Sequence, residues 1–199
     1  MRRGRFLRQK TDGKLCAQAG QVHWFLGMYF VLLLILLVAT GLQIKQYEVT
    51  SGYMEDALAA SNLASAVIDL EEYGRSHVLR IADPVLAYGR YCQALRGNLN
   101  LDETWQCRNG ELIASPVLVV RYIVYNVSEE AVYISEIKEG GRVYESTGSV
   151  GTVRAPNGIL IEHTAVYSEI ACTVKGMWNT EVKAEKGKLI DIVAEGNEI

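Results

Sequence analysis

Hydrophobic positions are distributed very unevenly along the chain. No Asp, Glu, Lys or Arg occurs between Lys14 and Lys45, a gap of 30 residues. Its core, Trp24 to Leu42, includes the near-continuous run Met28-Tyr29-Phe30-Val31-Leu32-Leu33-Leu34-Ile35-Leu36-Leu37-Val38. Nineteen such residues at about 1.5 Å each cover the roughly 30 Å hydrocarbon layer of a bilayer. A backbone in lipid has to satisfy its own hydrogen bonds, so the segment is expected to be a helix. Trp24 and Tyr29 toward one end, and Tyr47 past the other, are residue types that favour the interface. The alternative, a buried core helix of a soluble protein, is disfavoured because no charge interrupts the run and a cationic flank precedes it. A cleaved signal peptide would have a shorter apolar region and a small-residue cleavage site before Lys45.

After the gap the pattern becomes helical and mixed. Ala59, Leu63, Ala66, Leu70 and Tyr73 recur at spacings of 4, 3, 4 and 3. That periodicity predicts a narrow apolar packing seam on a stalk running from Gln43 to Ala82. The many Ala and Ser residues between Ala57 and Ala66 would let a neighbouring helix approach closely. Ser51-Gly52 is a candidate kink. Asp83-Pro84 then combines an N-cap residue with a proline at the first helical position, predicting a second helix over 84–96 with Gly97 as its cap.

From Pro116 to Val127 the chain is dense in β-branched and aromatic residues, and Ala131 to Lys138 alternates less cleanly. Strands are expected at 116–127, 131–138 and 142–146, with a turn at Gly140-Gly141. A loop is expected over 147–158, and one strand or two over 159–174. A last hairpin is expected from strands 181–185 and 188–194 about a turn at Lys186-Gly187. The predicted fold class is α+β: an N-terminal transmembrane helix extended into an amphipathic stalk, then a small antiparallel β-sheet head. Four segments follow: a basic cytoplasmic leader (1–20), the membrane helix (21–44), the extracytoplasmic stalk and second helix (45–97) and the β-rich head (98–199).

Charge orients this arrangement. The chain has 199 residues and a net charge of −3. Arg2, Arg3, Arg5, Arg8, Lys10 and Lys14 against Asp12 make the leader +5, which leaves −8 on the remainder. Positive flanks stay inside, so the N-terminus is expected in the cytoplasm and the head outside. An acidic head does not suit a nucleic-acid binder.

Compartment then bears on the four cysteines. Cys16 falls on the reducing side. Of the three outside, Cys92 and Cys107 are the favoured disulfide, a closed loop worth about 3 kcal/mol. Cys172, among apolar neighbours, is expected as a buried thiol, and the alternative is that all three stay reduced. No Cys-x-x-Cys occurs, and His23, His77 and His163 are isolated, so no metal or other cofactor is expected. There is no phosphate-binding Gly loop, no dinucleotide fingerprint and no Gly-x-Ser-x-Gly elbow. Glu162 and His163, as strand neighbours, would point to opposite faces. Asn126-Val127-Ser128 fits a glycosylation sequon. The 11 tyrosines are either a binding face or half-buried sheet residues. No catalytic constellation emerges.

The layout resembles the TadE-like pilus-assembly proteins, pilin-like minor pseudopilins of bacterial tight-adherence secretion systems. The resemblance rests on the basic leader Arg2 to Lys14, the small-residue junction at Gly20, the span Trp24–Leu42 and the Ala-rich stalk Tyr53 to Arg75. It implies a structural component of the bacterial cell membrane whose partners are the lipid bilayer and other pilin-like subunits or assembly machinery. It also implies a possible processing junction between Gly20 and Gln21. The fifth residue after that junction is Phe25, where pilins carry Glu, and the departure points to a minor rather than a main fibre subunit. The alternative is a membrane-tethered extracytoplasmic binding or sensor module with a β-rich head.

Overall fold

The computed structural model describes residues 12–110, 112–138, 141–176 and 180–193. The leader residues Arg2 to Lys10, the Gly140 half of the expected turn and Ala194 lie outside the described residues. The chain divides into two units, Met1–Lys45 and Gln46–Ile199.

The first unit is helical throughout its described part. It belongs to α1, Asp12–Ser65, a helix of 54 residues. Every residue from His23 to Val38 is exposed, and the apolar stretch has no buried share. α1 is the one helix among the described residues long and apolar enough to cross a membrane. Thr40 returns its hydroxyl to Leu36 O at 2.9 Å, which hides a polar group on an otherwise apolar surface.

The second unit is built on a five-stranded sheet in the order β3-β2-β1-β4-β5, with every pairing antiparallel. The strands are β1 Leu118–Val127, β2 Ala131–Lys138, β3 Arg142–Ser149, β4 Ala165–Lys175 and β5 Glu181–Asp191. β1 is central, and its run of Val, Ile and Tyr is buried on both faces over Tyr122–Asn126. A register shift between Val119 and Arg121 against β4 marks a bulge. β3 and β5 are the edges, and β3 has no buried residue.

One face of the sheet carries two helices. The C-terminal part of α1 buries Thr50, Met54, Ala57, Leu58, Ser61, Asn62 and Ser65. Their spacings of 4, 3, 1, 3, 1 and 3 trace one helical stripe. Met54 Sδ lies 4.0 Å from Cys172 Sγ on β4, Asn62 Nδ2 donates to Lys188 O on β5 at 2.9 Å, and the Tyr122 hydroxyl on β1 donates to Ser65 Oγ at 2.8 Å. Beside it runs α3, Pro84–Asn98, started by Asp83, whose Oδ1 accepts from Val85 N and Leu86 N. Ala87, Tyr91 and Leu95 face inward, and Val85 and Leu86 are exposed. The helix runs two residues past the expected stop and is capped at Leu99 rather than Gly97. Asn98 Nδ2 reaches Ser61 Oγ at 3.0 Å, a contact made possible by the small residues of α1.

The opposite face holds a second, smaller core of Ile123, Tyr125, Val132, Ala155, Ile161, Ala165 and Tyr167, closed by the loop that follows β3.

Three expectations about boundaries are corrected. The stalk is not one helix to Ala82. α1 ends at Ser65, whose hydroxyl donates to Asn62 O at 2.7 Å. Val67 and Ile68 are β-branched and extend, with Ile68 bridging to Ile81. Asp69 then caps a separate short helix, α2 Leu70–Ser76, which buries nothing. β3 runs on to Ser149 into the expected loop, and residues 159–164 lie outside β4.

The final hairpin is also absent, because β5 passes straight through Lys186-Gly187 as one strand of 11 residues. Gly187 is needed there for another reason. A Cβ at this position would sit 2.1 Å from Tyr167 Oη and 2.8 Å from Cζ, and that ring is only 3 % exposed. Glycine lets the tyrosine lie flat across the neighbouring strand. Gly187→Ala is therefore expected to destabilise the head by about 1–3 kcal/mol, read by denaturant unfolding of the detergent-solubilised chain. An unchanged midpoint would show that the ring moves freely.

Candidate functional site

The residues singled out from the sequence meet different fates. Gly20 and Gln21 both fall within α1. The expected seam of Ala59, Leu63, Ala66, Leu70 and Tyr73 is not one face of one helix. Ala59 and Leu63 are on α1, Ala66 follows its end, and Leu70 and Tyr73 belong to α2. Leu63 is 64 % and Leu70 73 % exposed. The true packing stripe is shifted by one residue, about 100° around the helix, because its members include Ser61, Asn62 and Ser65. An apolar count passes over those polar residues. They are buried because their hydroxyls and amide are bonded to Ala57 O, Lys188 O and Asn62 O. Leu63, Val67 and Leu70 are left exposed.

The expected disulfide is corrected as well. Cys92, Cys107 and Cys172 are all free thiols. Cys107 Sγ lies 3.7 Å from Leu99 O, and Leu101 bridges to Cys107. The loop after α3 thus curls back on the C-cap, and Cys107 is seated against Leu99 and Leu101. Cys92 instead neighbours the Tyr88 hydroxyl, and burial pushes its thiol up. Cys172 matches the buried thiol expected of it: it is 6 % exposed, and burial raises its pKa to about 11. Titration of the denatured chain with a thiol reagent, without reductant, is expected to find all four cysteines reactive. A count of two would restore the disulfide.

Tyrosines divide between packing and surface. Tyr88, Tyr91 and Tyr122 pack ring to ring where α3 meets β1, with centroids 4.9 Å apart for Tyr91–Tyr122 and 5.5 Å for Tyr88–Tyr122. Burial drives all three phenols well above their ordinary pKa. The Tyr91 hydroxyl lies near that of Ser168 without a well-formed hydrogen bond between them. Tyr133 and Tyr144 are exposed on β2 and β3. The sequon asparagine is structural. Asn126 is 8 % exposed, accepts from Ile81 N at 2.8 Å and donates to Ile81 O at 3.0 Å. It imitates a strand neighbour and pins the segment before α3 to the sheet.

Glu162 and His163 also depart from expectation. Because residues 161–164 are not strand, both line one open pocket of about 260 Å³. His77 and Glu129 join them there, at the end of the sheet that holds the β1–β2 turn. No group of three or more His, Cys, Asp or Glu among the described residues is arranged to hold a metal ion.

No protein-family model matches the chain, and no curated protein or solved structure is detectably similar to it. Its function therefore has to be argued from the exposed apolar helix, the helix-on-sheet head and the chemistry of the head's surface.

Proposed function

We propose that the chain is a membrane-anchored, pilin-like structural or assembly component of a bacterial pilus or secretion system, of the TadE-like kind. The observation that carries this reading is the double use of α1. Its N-terminal part is an apolar surface exposed from His23 to Val38, and its C-terminal part supplies the buried stripe Thr50–Ser65 of the head. Exposing that much apolar surface to water is unfavourable at about 25 cal/mol per Å², so the first part requires lipid or neighbouring helices. The second part ties the head to the same helix without a flexible linker in sequence. The +5 leader supports a cytoplasmic N-terminus and an outward head. The exposed apolar residues Leu63, Val67 and Leu70 around the end of α1 support contact with other subunits.

The test is in the cell that makes the protein. Cysteines placed at Leu63 and Leu70 should cross-link the chain into higher oligomers or to assembly partners, and the protein should co-fractionate with a pilus or secretion complex. A stable solitary monomer, absent from every such fraction, overturns the reading. The mature N-terminus by mass spectrometry divides the variants: Gln21 supports prepilin-type processing, Met1 a retained anchor. A start beyond Lys45 refutes the anchor.

A second reading, a membrane-tethered binding module, is favoured by one observation: an open pocket along α3 lined by Arg96 and Arg108. A ligand-dependent rise in the melting temperature of a chain that forms no cross-links would support it.

A further inference from the structure

α3 turns its outer face toward an open pocket of about 430 Å³. Gly89, Gln93, Arg96 and Gly97 line it from the helix at helical spacing, and Asn100, Trp105 and Arg108 line it from the loop that follows. Cys92 and the buried Leu101 complete the lining.

The first clue is charge. Neither Arg96 nor Arg108 forms an ion pair among the described residues; Arg75, Arg80, Arg121, Lys138, Lys186 and Lys188 do, and Arg90, Arg142, Arg154, Lys175 and Lys183 do not. The acid that Arg108 influences is Asp102. That carboxyl is held below its usual range first by the Thr104 hydroxyl and the Gln106 N–H, with Arg108 contributing least. Two guanidiniums thus face one cavity on a head whose overall charge is negative. Two guanidiniums offer fork-shaped donor sets to a carboxylate or phosphate.

The second clue is the glycines. Gly89 and Gly97 lie within α3, where glycine is a poor helix former. A Cβ at either position would meet nothing within 4 Å. No packing inside the chain requires them, and their effect is to keep the pocket open.

The third clue is the rigid far wall. Asn100 and Trp105 sit at φ +51° and +64°, and a bulky residue adopts that conformation only when its surroundings enforce it. Trp105 N donates to Asp102 O, Val117 N donates to Trp105 O at 2.9 Å, and Asp102 Oδ1 accepts from Thr104 N, Thr104 Oγ1 and Gln106 N. These bonds fix the backbone that carries the half-buried Trp105, which lines the pocket with the two arginines.

We infer that this pocket is a binding site for a small organic anion. Arg96 and Arg108 grip its phosphate or carboxylate, and its flat apolar body lies against Trp105 and Leu101. Charge-assisted hydrogen bonds of this kind are worth about tenfold or more in affinity each.

Calorimetric titration of the full chain in nonionic detergent tests it, with phenyl phosphate, benzoate, inorganic phosphate and uncharged benzyl alcohol as probes. Phenyl phosphate or benzoate should bind saturably, inorganic phosphate more weakly, and benzyl alcohol not at all. The ranking of the first two identifies the preferred head group. Arg96→Gln and Arg108→Gln should each weaken binding about tenfold. Gly89→Leu should abolish binding while leaving the melting temperature unchanged or higher, which separates a filled site from a damaged fold. Arg108 is exposed, so its variant keeps the test valid if a helix substitution unfolds the head. No saturation up to about 10 mM of either aromatic anion, or binding indifferent to both arginine substitutions, overturns the site. Neither outcome bears on membrane anchoring.

Discussion

Leu58→Ala is expected to destabilise the head by about 3 kcal/mol, and Leu63→Ala by no more than about 0.5 kcal/mol. The two leucines stand five residues apart on the same helix and differ only in where that helix turns them. Leu58 is fully buried in the main core with Met54 and Ala57, and Leu63 is 64 % exposed. Truncating a buried leucine loses the transfer energy of its side chain and leaves a cavity. The cavity would open between α1 and the sheet, where neighbours on β1 and β4 are held by strand pairing and collapse little. Urea unfolding of the solubilised chain, followed by the fluorescence of its tryptophans, measures both variants. Equal effects would mean that the helix packs by another face. A neutral Leu63→Ala that also impairs cross-linking in cells would separate the folding face from the assembly face.

That pair of residues shows why the packing stripe was only partly legible in the sequence. Periodicity exposed a helix, and the helix exists. Apolar periodicity alone sets the wrong phase, because three of the six buried positions after Thr50 and before Ala66 carry Ser or Asn. Besides local bonds to Ala57 O and Asn62 O, they use partners distant in sequence, Lys188 O for Asn62 and the Tyr122 hydroxyl for Ser65. No local window contains those partners. Glycine at 187 was misread for a related reason. Lys-Gly is a reasonable turn signal, but the constraint at Gly187 comes from the Tyr167 ring on the adjacent strand.

Elements with a local chemical cause were read correctly. The Asp83-Pro84 start of α3 holds because the cap is formed by residues two and three positions away. β2 was located at its observed bounds, Ala131–Lys138, since a β-branched run between turn residues needs no distant help. The antiparallel sheet followed from short connections between strands. The pocket along α3 was invisible for the opposite reason. Arg96 and Arg108 are unremarkable alone, and Gly97 was explained as a cap. Only the helix, continuing through Gly97 to Leu99, and the loop curling back on it bring them together.

Substituting arginine for both Leu33 and Leu36 is expected to abolish membrane integration, and Leu34→Arg alone to weaken it. Each leucine in the middle of a span contributes about 0.3–0.6 kcal/mol to insertion, and an arginine there costs about 2.5–3.5 kcal/mol. One replacement therefore shifts the balance by about 3–4 kcal/mol. The apolar run from Trp24 to Leu42 can absorb that, aided by snorkelling of the arginine and local thinning of the bilayer. Two replacements on neighbouring turns bring the total close to zero or beyond. Within α1 Leu33, Leu34 and Leu36 are all exposed, so none supports the head's core. The loss should therefore appear in localisation without a loss of folding. Alkaline carbonate extraction reads the first quantity: the parent stays in the pellet, Leu34→Arg divides, and the double variant is released. Denaturant unfolding of the released protein reads the second, with a midpoint close to the parent's. A double variant that still resists extraction would mean that the chain is held by a partner complex rather than by lipid. A released protein with a lowered midpoint would show that the apolar part of α1 contributes to the stability of the head.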